Sequence, residues 1–173
     1  MAKQKYIAAM DVLHKACVAI SVVCLATMIL VIPWGVFTRY VLGFGSSWPE
    51  PLAILMMIIF SFFAASACYR DGLHIAVMAI PDMVSPTARR LLGLLAEASM
   101  ILINVFMLIW GAELVHTTWN QYIGEFPILK VGLSYAPVPI GGTITLLFVI
   151  ERLWKGEVFP APDGATLGST TME

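Results

Sequence analysis

The chain has 173 residues, 60% hydrophobic and 12% charged, well below the ~25% charged fraction of an ordinary soluble domain. Ten basic residues stand against eleven acidic ones, so no cationic surface is left for nucleic acid, and a mean hydropathy of +0.87 excludes a soluble globule. The chain reads as an all-α integral membrane protein with four transmembrane helices, whose function rests on the spans and their short loops.

The first charge-free run extends from Ala16 to Thr38, between Lys15 and Arg39, long enough to cross a ~30 Å hydrocarbon core with some tilt. It continues through Trp34 and Phe37 to Arg39-Tyr40, an interfacial ending unlike a signal-peptide cleavage site, so it is expected to stay in the mature protein. Gly43, Gly45, Ser46 and Ser47 then mark a tight loop, and Ser47 and Glu50 have capping-box spacing ahead of a second span over about 51–69. Pro49 and Pro51 fit the first helical turn, where little hydrogen bonding is lost. The segment 73–84 contains Pro81 and mixes Ile75, Val77, Met78 and Ile80 with His74 and Asp82; it is expected to form a short interfacial helix on the cytoplasmic face.

Ser85-Pro86-Thr87 signals the start of a third helix, with a span over about 91–116 interrupted by Glu97 and Glu113. The charge-free part between these carboxylates amounts to about 22 Å of helix, which places both near the edges of the hydrocarbon or against protein. The fourth span covers about 131–150, ending at Glu151-Arg152. Pro137 and Pro139 suggest that regular helix starts late there, with Phe126 to Ala136 irregular. Residues 1–158 form a single four-span domain on this reading. The Pro/Gly/Ser/Thr-rich stretch 159–173 reads as a mobile cytoplasmic tail.

Orientation follows from the lysines and arginines. Lys3, Lys5, Lys15, Arg70, Arg89, Arg90, Arg152 and Lys155 fall on one side and only Arg39 and Lys130 on the other, so both termini are expected to be cytoplasmic. Cys17, Cys24 and Cys68 lie in apolar runs without a CxxC pair and read as small core residues rather than a redox or zinc motif. His14 and His74 lie at cytoplasmic ends and His116 at the external end, depths that do not suit a haem between two spans. No HExxH, Gly-rich phosphate loop or Ser/His/Asp set is present, and no enzyme activity and no cofactor are expected.

The informative polar residues are few. Glu97, Asn104 and Gly111 recur every seven residues and lie nearly on one stripe of the third span. That stripe is either a polar track for a proton or substrate or a packing seam against a neighbouring helix, and the seam is preferred because no acid from another span joins it. Arg39 and Glu50 flank the external loop, where an ion pair that fixes the hairpin, with Trp48 as an interfacial anchor, is preferred to an external ligand site, since one Arg and one Glu do not make a specific pocket. Arg70, Asp71 and His74 form the matching cytoplasmic corner. Ala64, Ala65, Ser66 and Ala67 suit close packing of a partner helix.

In order along the chain, Phe37-Thr38-Arg39-Tyr40, Gly43, Trp48-Pro49-Glu50, Tyr69-Arg70-Asp71-Gly72-Leu73-His74-Ile75 and Tyr135-Ala136-Pro137-Val138-Pro139-Ile140-Gly141 resemble the small membrane subunit of tripartite ATP-independent periplasmic (TRAP) transporters. The resemblance covers roughly Val12 to Trp154 and departs at Pro51, where the family often carries a second acid after the glutamate. It implies a multi-pass protein of the bacterial inner membrane in a stable heterodimer with a large sodium-driven membrane subunit. A periplasmic substrate-binding protein delivers an organic acid to that subunit and associates transiently. The small subunit would pack beside the scaffold of the large one, in contact with membrane lipids, and hold no transport site of its own. Arg39, Trp48, Glu50, Arg70, His74, Glu97, Asn104 and Gly111 are then candidates for structural or subunit-interface roles. The alternatives are a self-contained, ion-coupled homodimer with Glu97 as coupling group, and a membrane anchor for a redox enzyme.

Overall fold

A computed structural model describes residues 2–45, 47–72, 86–124 and 126–155. The expected interfacial helix over 73–84 and the tail over 159–173 lie outside them. In chain order the elements are helix α1 (Ala2–Tyr40), α2 (Pro49–Arg70) and α3 (Pro86–Thr118), strands β1 (Tyr122–Ile123) and β2 (Phe126–Lys130), then helices α4 (Val131–Tyr135) and α5 (Pro137–Lys155). Four spans are long and apolar enough to cross a membrane: Gln4–Tyr40, Pro49–Arg70, Leu91–Thr118 and Val131–Lys155, the last taking in both α4 and α5.

Helix α1 extends far beyond the expected span at its N-terminal end, because the residues before Ala16 continue the helix outside the apolar run. Pro33 lies inside it and removes one backbone donor, which a membrane helix tolerates. The chain leaves α1 through Gly43 and α2 through Gly72, whose φ values of 71° and 70° are left-handed conformations that favour glycine. At the start of α2 the expected capping box does not form: the N-cap is Trp48, with no side-chain cap bond. Prolines in the first and third positions of α2 lower the need for one, since they carry no N–H.

The segment expected to be irregular is ordered in two pieces. Strand β2 pairs antiparallel with β1, with Tyr122 opposite Lys130 and Ile123 opposite Phe126. The Val131 N–H donates to the Gln121 carbonyl at 2.9 Å and leads straight into α4. Gly132 brings α4 onto the end of α3 so closely that a Cβ there would stand 2.9 Å from the Val115 carbonyl oxygen. The helix then breaks at Ala136, and Pro137 and Pro139 occupy the first turn of α5, where their missing N–H groups cost little.

Helix α5 is the centre of the bundle. It packs against α2 on one side and α3 on the other, while α1 packs on α2. Accordingly 39% of its apolar window is buried within the chain, against 17% for α1 and for α3, whose outer faces are left for lipid or other protein. The α2–α5 contact rests on small residues. A Cβ on Gly141 would stand 2.9 Å from the Phe62 Cβ, and beside it Ser66 Oγ lies 2.9 Å from Thr145 Oγ1 and donates to the Phe62 carbonyl. Ser66 and Ala67 are thus consumed inside the chain rather than offered to a partner helix, while Ala65 stays exposed. Cys17 and Ala67 sit in one buried cluster with Tyr69, Ile144, Phe148 and Val149, and Cys24 is buried nearby in α1.

Candidate functional site

The charged ends of the spans meet at one end of the bundle, the end where α1 begins and α5 ends. Arg70, in the last turn of α2, donates Nε and an Nη to the two carboxylate oxygens of Glu151 in α5, at 2.9 and 3.0 Å. The same guanidinium reaches Asp11 of α1 and lies 5.5 Å over the Phe148 ring. Lys155, one turn beyond Glu151, pairs with it at 2.8 Å. On the other side of α5, Arg152 approaches Glu97 of α3 at 3.4 Å, and the Tyr69 hydroxyl of α2 donates to Glu97 in a short hydrogen bond. His14 and Asp71 close the outer edge at 3.0 Å. Three cations and three carboxylates thus tie all four spans together, with Glu97 at 5% and Glu151 at 3% relative exposure.

The pairing is a consequence of helix order. Because α5 lies between α2 and α3, Glu151 and Arg152, adjacent in sequence, point to different neighbours: the acid meets the Arg70 side and the base meets Glu97. A fork-shaped guanidinium is the group that can hold one carboxylate with two bonds and still reach a second. Removing Arg70 takes two bonds from the buried Glu151, and removing Arg152 takes the cation from the buried Glu97, so each costs more than loss of the exposed Asp11. Among the described residues no buried side-chain nitrogen or oxygen lacks a hydrogen-bond partner.

The Glu97–Asn104–Gly111 stripe runs along α5. Asn104 is buried and its Nδ2 donates to the Met100 carbonyl of its own helix at 2.7 Å. Its backbone oxygen is where a Cβ on Gly142 would arrive at 3.1 Å, and a Cβ on Gly111 would meet Val138 and Pro139 at 3.1 Å. The stripe therefore adjoins α5 through close backbone approach, and Glu97 is held by Tyr69 and Arg152.

At the opposite end, Arg39 and Glu50 line one cleft between α1 and α2, both exposed. The ion pair expected between them is not formed: among the described residues no salt bridge joins the two. Backbone proximity sets the hairpin instead, since a Cβ on Gly35 would stand 3.0 Å from the Pro49 Cβ. Trp48 is partly exposed at the start of α2. His74 lies outside the described residues. The partners Asp11, Tyr69, Glu151 and Lys155 were missed as site residues from sequence. Their one legible signal is opposite charge at the same end of several spans, such as Glu151 four residues before Lys155.

Fold and site define a multi-pass membrane protein whose buried carboxylates, Glu97 and Glu151, join its own helices. Residues 28–157 match the DctQ component family of tripartite ATP-independent periplasmic transporters, and the chain belongs to that family. It is similar to the sialic acid TRAP transporter small permease protein SiaQ of Vibrio cholerae, with 22% identity over 140 residues covering 79% of this chain and 78% of that protein. Family membership implies a large membrane subunit and a periplasmic binding protein as partners.

Proposed function

We propose that this chain is the stationary small subunit of a TRAP transporter, stabilising the scaffold of a large membrane subunit that imports an organic acid with sodium. The observation that carries the reading is the ion network. It fastens α1, α2, α3 and α5 at one end and engages Glu97, the acid best placed to couple ion movement, with Tyr69 and Arg152. A coupling carboxylate must exchange its ion as the protein cycles, whereas a carboxylate held by an arginine and a tyrosine favours one fixed arrangement. The sparsely buried outer faces of α1 and α3 then supply surface for the large subunit and lipid.

The similarity to a sialic acid transporter subunit favours a sugar acid or related carboxylate as cargo, selected by the other two chains. The distribution of lysine and arginine favours the bacterial inner membrane with both termini, and so the ion network, on the cytoplasmic side. The test is uptake into vesicles under an inward sodium gradient with the binding protein present. Uptake is expected only when this chain and the large subunit are reconstituted together, and Glu97→Gln should lower the yield of the complex without changing the sodium dependence of what remains. Uptake by this chain alone, abolished by Glu97→Gln, would overturn the reading.

A further inference from the structure

The ion network leaves unused an open cleft of about 460 Å3 between α1 and α2, at the end of the bundle away from Arg70 and Glu151. Its walls are apolar, with Met28, Ile32, Ala53 and Met57 among them, and its rim carries one cation, Arg39, and one anion, Glu50. The two are exposed and not paired with each other. Tyr40 and Trp48, exposed aromatics beside them, mark this level as the membrane–water interface. From Arg39 to Met28 the cleft follows α1 for about 16 Å of helix rise, half of a ~30 Å hydrocarbon core.

Charges at headgroup depth above an apolar cleft one leaflet long match the layout of a single phospholipid. We propose that the cleft binds one phospholipid with a primary-amine zwitterionic headgroup, a phosphatidylethanolamine, with its phosphate on Arg39, its ammonium on Glu50 and an acyl chain along the cleft. Guanidinium geometry fits phosphate, and the carboxylate accepts from an ammonium N–H that a choline headgroup lacks. A phosphatidylglycerol headgroup brings no cation to Glu50.

The test uses the full chain, isolated with whatever subunit accompanies it, stripped of lipid and offered equal amounts of phosphatidylethanolamine, phosphatidylcholine and phosphatidylglycerol. Native mass spectrometry then counts what is retained. Wild type is expected to keep one phosphatidylethanolamine per chain. Glu50→Gln, at an exposed position, should reduce the preference for phosphatidylethanolamine over phosphatidylglycerol about ten-fold, the scale of one charge-assisted hydrogen bond. Ala53→Phe keeps both charges and fills the apolar part, and should abolish retention. Equal retention of the three lipids by wild type, or unchanged retention in Ala53→Phe, would overturn the proposal. So would a cross-link from Met57→Cys to another subunit in place of lipid.

Discussion

Replacing Arg70 by alanine should cost this protein more stability than any other single change at the helix ends. The guanidinium makes two bonds to Glu151, whose carboxylate has 3% side-chain exposure, and one to Asp11, whose carboxylate is mostly in contact with solvent. Breaking a buried ion pair from one side costs about 3–5 kcal/mol, because the remaining charge stays buried. Lys155 remains beside Glu151 at 2.8 Å and takes up part of that loss, so the lower edge, about 3 kcal/mol, is expected. For a chain of this size that corresponds to a Tm lower by about 6–12 °C. Cys17 and Cys24 are buried, so in a Cys68→Ala background, which removes the partly exposed thiol, a thiol-reactive dye in detergent reports unfolding without an added label. Asp11→Ala should shift Tm little. The pair Arg70→Met with Glu151→Met removes both buried charges and should be less destabilising than Arg70→Ala alone. An Arg70→Ala loss under about 2 °C, or a double variant as unstable as the sum of its singles, would refute the assignment of a coupled network.

Gly141→Val places its side chain where a Cβ already stands 2.9 Å from the Phe62 Cβ, so α2 and α5 must separate. A loss of at least ~2 kcal/mol is expected, read as a Tm drop in the same dye assay. Ser66→Ala removes the bond to Thr145 but keeps the volume, and should cost only ~0.6 kcal/mol, the average for polar pairs between membrane helices; thermal unfolding of the two variants side by side checks the contrast. Tyr69→Phe removes the hydroxyl donor to Glu97 and leaves Arg152 as its partner. It should lower Tm by less than Glu97→Ala, which removes the acceptor shared by Tyr69 and Arg152, and a reversed order would refute that assignment.

The spans were legible because each apolar run is bracketed by charge: α2, observed as Pro49–Arg70, differs from the expected 51–69 only at its ends. The full length of α1 was not legible, since hydropathy marks the hydrocarbon thickness and not where a helix stops. Strand β1 escaped notice because two residues carry no alternation to read, and β2 because Phe126-Pro127-Ile128-Leu129-Lys130 does not alternate and contains a proline. Arg70 and Glu97 were legible as polar residues at span edges, but their partners depend on α5 lying between α2 and α3. Spans that are apolar nearly all round do not encode their neighbours in a periodicity. Arg39 and Glu50 show the converse error: nearness in sequence suggested a pair, while Gly35 against Pro49 sets the approach and leaves the two charges apart.

The central claim is that this chain works as a rigid companion to a larger transport subunit. The most direct test is purification of the chain, 18.9 kDa, in gentle detergent from its own membrane, with the mass of the intact particle measured. One copy of this chain with one copy of a much larger polytopic protein is expected, and a yield of that complex that falls in Arg70→Ala. A particle containing only this chain, active in ion-coupled uptake after reconstitution, would contradict it.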